Sequence, residues 1–129
     1  MNVKKYQTII KQTAIYPKEI GLAYCALGLT GEAGEVADKV KKLYRDGLGT
    51  TSASDTSRDF HLMKDEDPDV QAWVKSVGKE LGDTLWYITA MANELGLTLE
   101  EIMQTNYDKL IKRRETNTLS GSGDDREEG

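Results

Sequence analysis

A chain of 129 residues with 38% hydrophobic residues, 30% charged residues and a formal net charge of -5 reads as one soluble domain. The acidic balance excludes a duplex nucleic-acid binder that relies on phosphate attraction, and no apolar run approaches the roughly 20 residues of a membrane span. The polar start Met1-Asn2-Val3-Lys4-Lys5 lacks the apolar segment of a secretory signal, so a cytoplasmic location is expected.

Val3, Tyr6, Ile9, Ile10, Thr13 and Ala14 recur at spacings of three and four, predicting an amphipathic helix across residues 2 to 15. Tyr16-Pro17 ends it, and a second, longer helix is predicted to begin near Lys18. Its apolar stripe reads Leu22, Ala26, Leu29, Ala33, Val36, Val40 and Leu43, with Glu32 on the margin and Glu35 just beyond. Cys25 lies in the apolar run Leu22 to Leu29 and reads as a packing residue; as the single cysteine it excludes an internal disulfide. Asp46-Gly47 supplies the helix stop.

Residues 47 to 67 lose periodicity and read as a long mobile loop, either a lid or an insertion, with His61 as a surface residue. Asp65-Glu66-Asp67-Pro68-Asp69 begins like a calcium loop but has Val70 where glycine is needed and Ser76 where the closing glutamate is needed. It reads instead as a helix start, with Asp67 capping and Pro68 in the first turn.

The third helix, about 69 to 95, carries Val70, Val74, Val77, Leu81, Leu85, Ile88, Ala92 and Leu95 on one stripe. Trp73, Glu80, Asp83 and Tyr87 lie on one flank of it; the aromatics suit either a core or interface role or the stacking of a base. Gly96 stops this helix, and Thr98-Leu99-Glu100-Glu101 forms a capping box for a fourth, about 99 to 115. That helix sets Leu99, Ile102, Met103, Leu110 and Ile111 inward, interrupted by Asn106, an amide that would need a partner if buried. Asn106 with Lys109 reads either as part of a basic helix end or as a phosphate grip. Residues 116 to 129 read as a flexible tail.

Two acidic pairs stand out, Glu32 with Glu35 and Glu80 with Asp83. A three-residue step puts each pair on one helical face. Carboxylates brought together by two packed helices repel unless cations sit among them, and oxygen-only ligation favours Mg²⁺ or Mn²⁺. A redox di-metal bundle would instead draw on Glu-x-x-His motifs, and no histidine follows either glutamate at that spacing. Gly34 and Gly82, each between two acids, cost about 1 kcal/mol relative to alanine, which a close approach of a helix or ligand would explain.

Gly28-Leu29-Thr30-Gly31-Glu32-Ala33-Gly34-Glu35-Val36-Ala37-Asp38-Lys39, followed by Lys79-Glu80-Leu81-Gly82-Asp83-Thr84-Leu85-Trp86-Tyr87, resembles the MazG-like all-α nucleoside triphosphate pyrophosphohydrolases. The ending Leu119-Ser120-Gly121-Ser122-Gly123-Asp124 is similar to that of small single-domain members, phage-encoded ones included. The resemblance implies an all-α, four-helix bundle-like catalytic domain over residues 1 to 115, assembled as a homodimer or homotetramer. It implies conversion of a nucleoside triphosphate to monophosphate and pyrophosphate by water attack at the α phosphorus. Glu32, Glu35, Glu80 and Asp83 would hold two or more Mg²⁺ or Mn²⁺ ions, with Glu35 activating water. Lys39, Asn106 and Lys109 would face phosphates, Tyr87 would lie near the sugar, and Gln7 and Thr13 would help enclose the base. A non-catalytic nucleotide-binding module and a stepwise phosphatase are the alternatives. Neither base nor sugar is specified by the resemblance.

Overall fold

The computed structural model describes residues 1–48 and 67–121. Most of the predicted loop, His61 within it, and the tail from Ser122 lie outside the described residues. All regular elements among the described residues are helical: α1 (Val3–Thr13), a 3-10 turn (Lys18–Ile20), α2 (Gly21–Asp46), α3 (Pro68–Leu95) and α4 (Leu99–Glu115). None is long and apolar enough to cross a membrane. The chain divides into two compact units, Met1–Ala14 with Ala92–Gly129, and Ile15–Met91.

In the first unit, hydrogen bonds decide where each helix begins and ends. Asn2 caps α1 by accepting from the Lys5 amide at 2.8 Å. Gly96 takes a φ of 70°, where a side chain would be strained. This turn lets the Leu97 amide donate to Ala92 O at 2.9 Å and the Gly96 amide to Asn93 O at 3.3 Å, a Schellman closure of α3. The predicted capping box then starts α4: the Glu101 amide donates to Thr98 Oγ1, and the Thr98 amide donates back to Glu101 Oε2. A second Schellman turn ends α4, with Asn117 at φ 56° and the Thr118 amide on Arg113 O at 2.8 Å.

Gln7 ties α1 to the α3–α4 corner. Its Nε2 donates to Asn93 Oδ1 at 2.9 Å and to Leu97 O at 2.8 Å, while its Oε1 accepts from the Leu99 amide at 2.8 Å. The Leu99 amide lies in the first turn of α4, where no intrahelical acceptor exists. Gln7 thus engages both atoms of its amide in the corner. Ile10, Ala92, Leu99 and, unusually for its charge, Arg113 are buried in this unit.

In the second unit, Pro17 opens the 3-10 turn, with the Ile20 amide on Pro17 O, so α2 starts at Gly21 rather than Lys18. Asp67 Oδ1 accepts from the Asp69 amide at 2.8 Å, as expected of a cap for α3. Cys25 and Val70 are fully buried, consistent with packing roles.

Parts of the predicted inward stripes face outward. Leu43, Val70, Ala92 and Leu99 are buried, whereas Leu22, Leu81, Leu95 and Met103 are each more than half exposed, at 52%, 54%, 56% and 54%. Helical period identifies the apolar side of a helix but not whether its own chain covers it. Asn106 is exposed as well, which removes the need for a buried partner.

Candidate metal centre

Two rows of side chains meet in the second unit. On α2, Tyr24, Gly28 and Glu32 follow at steps of four, and Lys39, two turns beyond Glu32, returns to the same face. On α3, Glu80, Asp83 and Tyr87 share a face by the same arithmetic. Tyr24 and Gly28 meet Tyr87, Glu32 meets Asp83 and Glu80, and Lys39 meets Glu80. Numbers rise along α2 as they fall along α3, so the helices run antiparallel.

Carboxylate oxygens of Glu32, Glu80 and Asp83 lie within 4.8 Å of one another. Glu32 and Glu80 are half-buried and Asp83 is exposed. Burial holds the Glu32 carboxyl above its ordinary range, and the charges of Asp83, Glu80 and Glu35 push it further. Lys39 Nζ lies 3.2 Å from Glu80 Oε1. With all three acids ionised, that single ammonium leaves about two negative charges uncompensated, so the cluster favours a cation. The all-oxygen donor set suits Mg²⁺ or Mn²⁺.

Glu35 stays outside this cluster, exposed on α2 one turn beyond Glu32. Its charge still reaches Glu32. Asp38, a further turn along, is in the opposite condition: Lys41 and Lys42 reach its two oxygens at 2.6 and 2.5 Å and hold its carboxyl down to about 2.

Beside the acids lies an aromatic cluster. Tyr16 stacks on Tyr24 with ring centroids 4.9 Å apart, Trp86 meets Tyr87 edge-on at 4.9 Å, and Tyr16 meets Trp86 at 6.4 Å. Burial raises the Tyr87 phenol above its usual range, followed by its hydrogen bond with Tyr24 and the nearby charges of Tyr24 and Glu32. A Cβ on Gly28 would stand 2.0 Å from Tyr87 Cε1, so only glycine admits this ring against α2. At Gly34 and Gly82 a Cβ would meet nothing within 4 Å. The close approach expected of those two glycines occurs at Gly28 instead. Sequence reasoning missed this cluster; the four-residue steps linking Tyr24, Gly28 and Glu32 are the signal that could have found it.

Asn106 and Lys109 belong to the first unit, where they line a cleft of about 300 Å³ with Leu97, Glu101, Ile102 and Thr105.

A family model described as the MazG nucleotide pyrophosphohydrolase domain matches residues 22–118. A protein of Mycobacterium phage L5, named Gene 37 protein, is 38% identical over 132 residues, spanning 98% of this chain and 100% of the phage protein. No solved structure matches the chain.

Proposed function

This chain belongs to the MazG nucleotide pyrophosphohydrolase domain family, and we propose that it hydrolyses a nucleoside triphosphate to the monophosphate and pyrophosphate with Mg²⁺ or Mn²⁺. The observation that carries the reading is the convergence of Glu32, Glu80 and Asp83 across α2 and α3, with oxygens within 4.8 Å. These residues would hold the metal, joined by Glu35 where more than one ion binds. A metal held there would neutralise polyphosphate charge and acidify a water.

Water oxygen forms the new bond to the α phosphorus as the bond from that phosphorus to the bridging oxygen breaks, and pyrophosphate leaves with the electron pair. Glu35, one turn from Glu32 and outside the cluster, accepts the proton of the attacking water on its carboxylate. Tyr87, braced by Tyr24 and Trp86, lies against the sugar. Lys39 and Lys109 supply positive charge to phosphates and Asn106 a hydrogen bond; for Asn106 and Lys109 the support is the family motif alone. Exposed Leu22, Leu27, Leu81 and Leu95 support assembly with further copies of the chain.

The test is to incubate the protein with each ribo- and deoxynucleoside triphosphate in Mg²⁺ or Mn²⁺, beside Glu35→Gln, and to separate the products. Monophosphate with pyrophosphate, lost in the variant, is the expected result. Orthophosphate would identify a stepwise phosphatase, and binding without turnover a nucleotide-binding module. A rise in KM for Lys109→Gln is the outcome that keeps Asn106 and Lys109 in the phosphate site.

A further inference from the structure

We propose that Lys39 is the resident counter-ion of the acidic site: it holds Glu80 until a divalent cation displaces it, and its freed ammonium then serves the substrate's phosphates. The inference rests on Glu32, Glu80 and Asp83 being metal ligands and goes beyond it by giving Glu80 an earlier partner and the exchange a direction.

Lys39 Nζ and Glu80 Oε1 are 3.2 Å apart, with side chains only 27% and 21% exposed. The pair is thus partly withdrawn from the water and salt that weaken an ion pair on an open surface. The same Glu80 carboxylate contributes an oxygen within 4.8 Å of oxygens from Glu32 and Asp83. An ammonium in hydrogen-bond range and a dication on one carboxylate repel each other, so occupancy by either weakens the other.

Lysine suits an exchange of this kind. Its compact charge sits on a flexible four-carbon stem and can leave without moving the helix. Lys39 lies seven residues from Glu32 on α2, about 10 Å along the axis at roughly 1.5 Å per residue, so the freed ammonium stays on the face that carries the acids. Neighbouring Lys41 and Lys42 are already engaged by Asp38.

Lys39→Gln removes the competitor. Binding of Mn²⁺ to nucleotide-free protein, followed by the electron paramagnetic resonance signal of the free ion, is expected to tighten roughly twofold to fivefold. In the same variant, the KM of the triphosphate that wild type turns over is expected to rise roughly tenfold at saturating Mn²⁺. The opposite signs are the signature, because a loosened helix pair would weaken both. Lys39→Arg keeps the charge and is expected to bind Mn²⁺ no more tightly than wild type. Lys41→Gln removes a cation from the same helix and measures the general effect of charge.

Unchanged or weaker Mn²⁺ binding by Lys39→Gln with wild-type helix content overturns the proposal, as does tightening no greater than that of Lys41→Gln. If Lys39→Gln loses helix content, Lys39→Met carries the same expectations. Wild type that binds Mn²⁺ and releases pyrophosphate, beside a Lys39→Gln of unaltered affinity, sinks the exchange alone. Wild type that binds no Mn²⁺ sinks the metal reading and the exchange with it.

Discussion

Glu32 and Asp38 stand six residues apart on α2 in opposite electrostatic states. Asp38 has a lysine for each oxygen, and its carboxyl is held at about 2. Glu32 is half-buried among Asp83, Glu80 and Glu35, and its carboxyl is raised. One helix thus carries an acid that its own neighbours have satisfied and another that they have left in want of a cation. The difference separates a surface ion pair from the proposed metal site more clearly than acidity alone, since both stretches are rich in carboxylates and lysines.

Neutralising each acid should break the comparison most visibly. On the proposed reading, in which Glu32 holds the metal, Glu32→Gln is expected to lower pyrophosphate release more than about 100-fold. In urea, the metal-free variant should be at least as stable as wild type, because one of the repelling charges is gone. Asp38→Asn should do the reverse, with activity near wild type and lower stability. Equal loss of activity in the two variants would abolish the distinction.

Gly28→Ala would sharpen it by separating burial from repulsion at Glu32. The new methyl collides with the Tyr87 ring and is expected to cost about 1–3 kcal/mol, read from the urea midpoint. With Tyr87 displaced, water gains access to Glu32, so the part of its shift due to burial should shrink while that due to Asp83 and Glu80 remains. An NMR titration of Glu32 in the metal-free protein measures the division, and an unaltered titration would show that Tyr87 does not shield it.

The smallest effect is on stability against pH. The carboxyl of Asp38 is lowered from 3.8 to about 2, so its contribution is present above about pH 4 and lost as pH falls from there towards 2. For Glu32, raised from 4.5, the sign is opposite: its contribution is fully present below pH 4.5 and lost as pH rises through the raised value. At low ionic strength, the melting difference between wild type and Asp38→Asn should therefore persist from neutral pH to about 4 and then close. A difference undiminished at pH 2 would remove the lysine pair from the account.

Local chemistry made much of the fold legible. The capping box at Thr98, the cap at Asp67 and the glycine stops at Gly47 and Gly96 each act within a few residues, and each appears where the residue types call for it. Non-local facts were harder to read. Leu81 and Met103 sit on apolar stripes yet face outward, because the period of a helix says nothing about its neighbour. Glu35 shares a face with Glu32 by spacing, but only Glu32 joins Glu80 and Asp83, since spacing along one helix does not say which of its side chains meets the neighbouring helix. The same limit hid the seat of Tyr87. A glycine within a helix has many uses, and Gly28 acquires its meaning from a ring 59 residues away.

The amide of Gln7 also bears on how the chain comes together. Its partners Asn93, Leu97 and Leu99 lie 86, 90 and 92 positions later. At ribosomal rates of roughly 5–20 residues per second, helix α1 is made about 4–20 seconds before those partners exist. An 11-residue helix is marginal by itself in water. Helix α1 is therefore fastened by Gln7 only after the α3–α4 corner has been made, and the bond from Gln7 to Asn93 spans 86 positions of the chain.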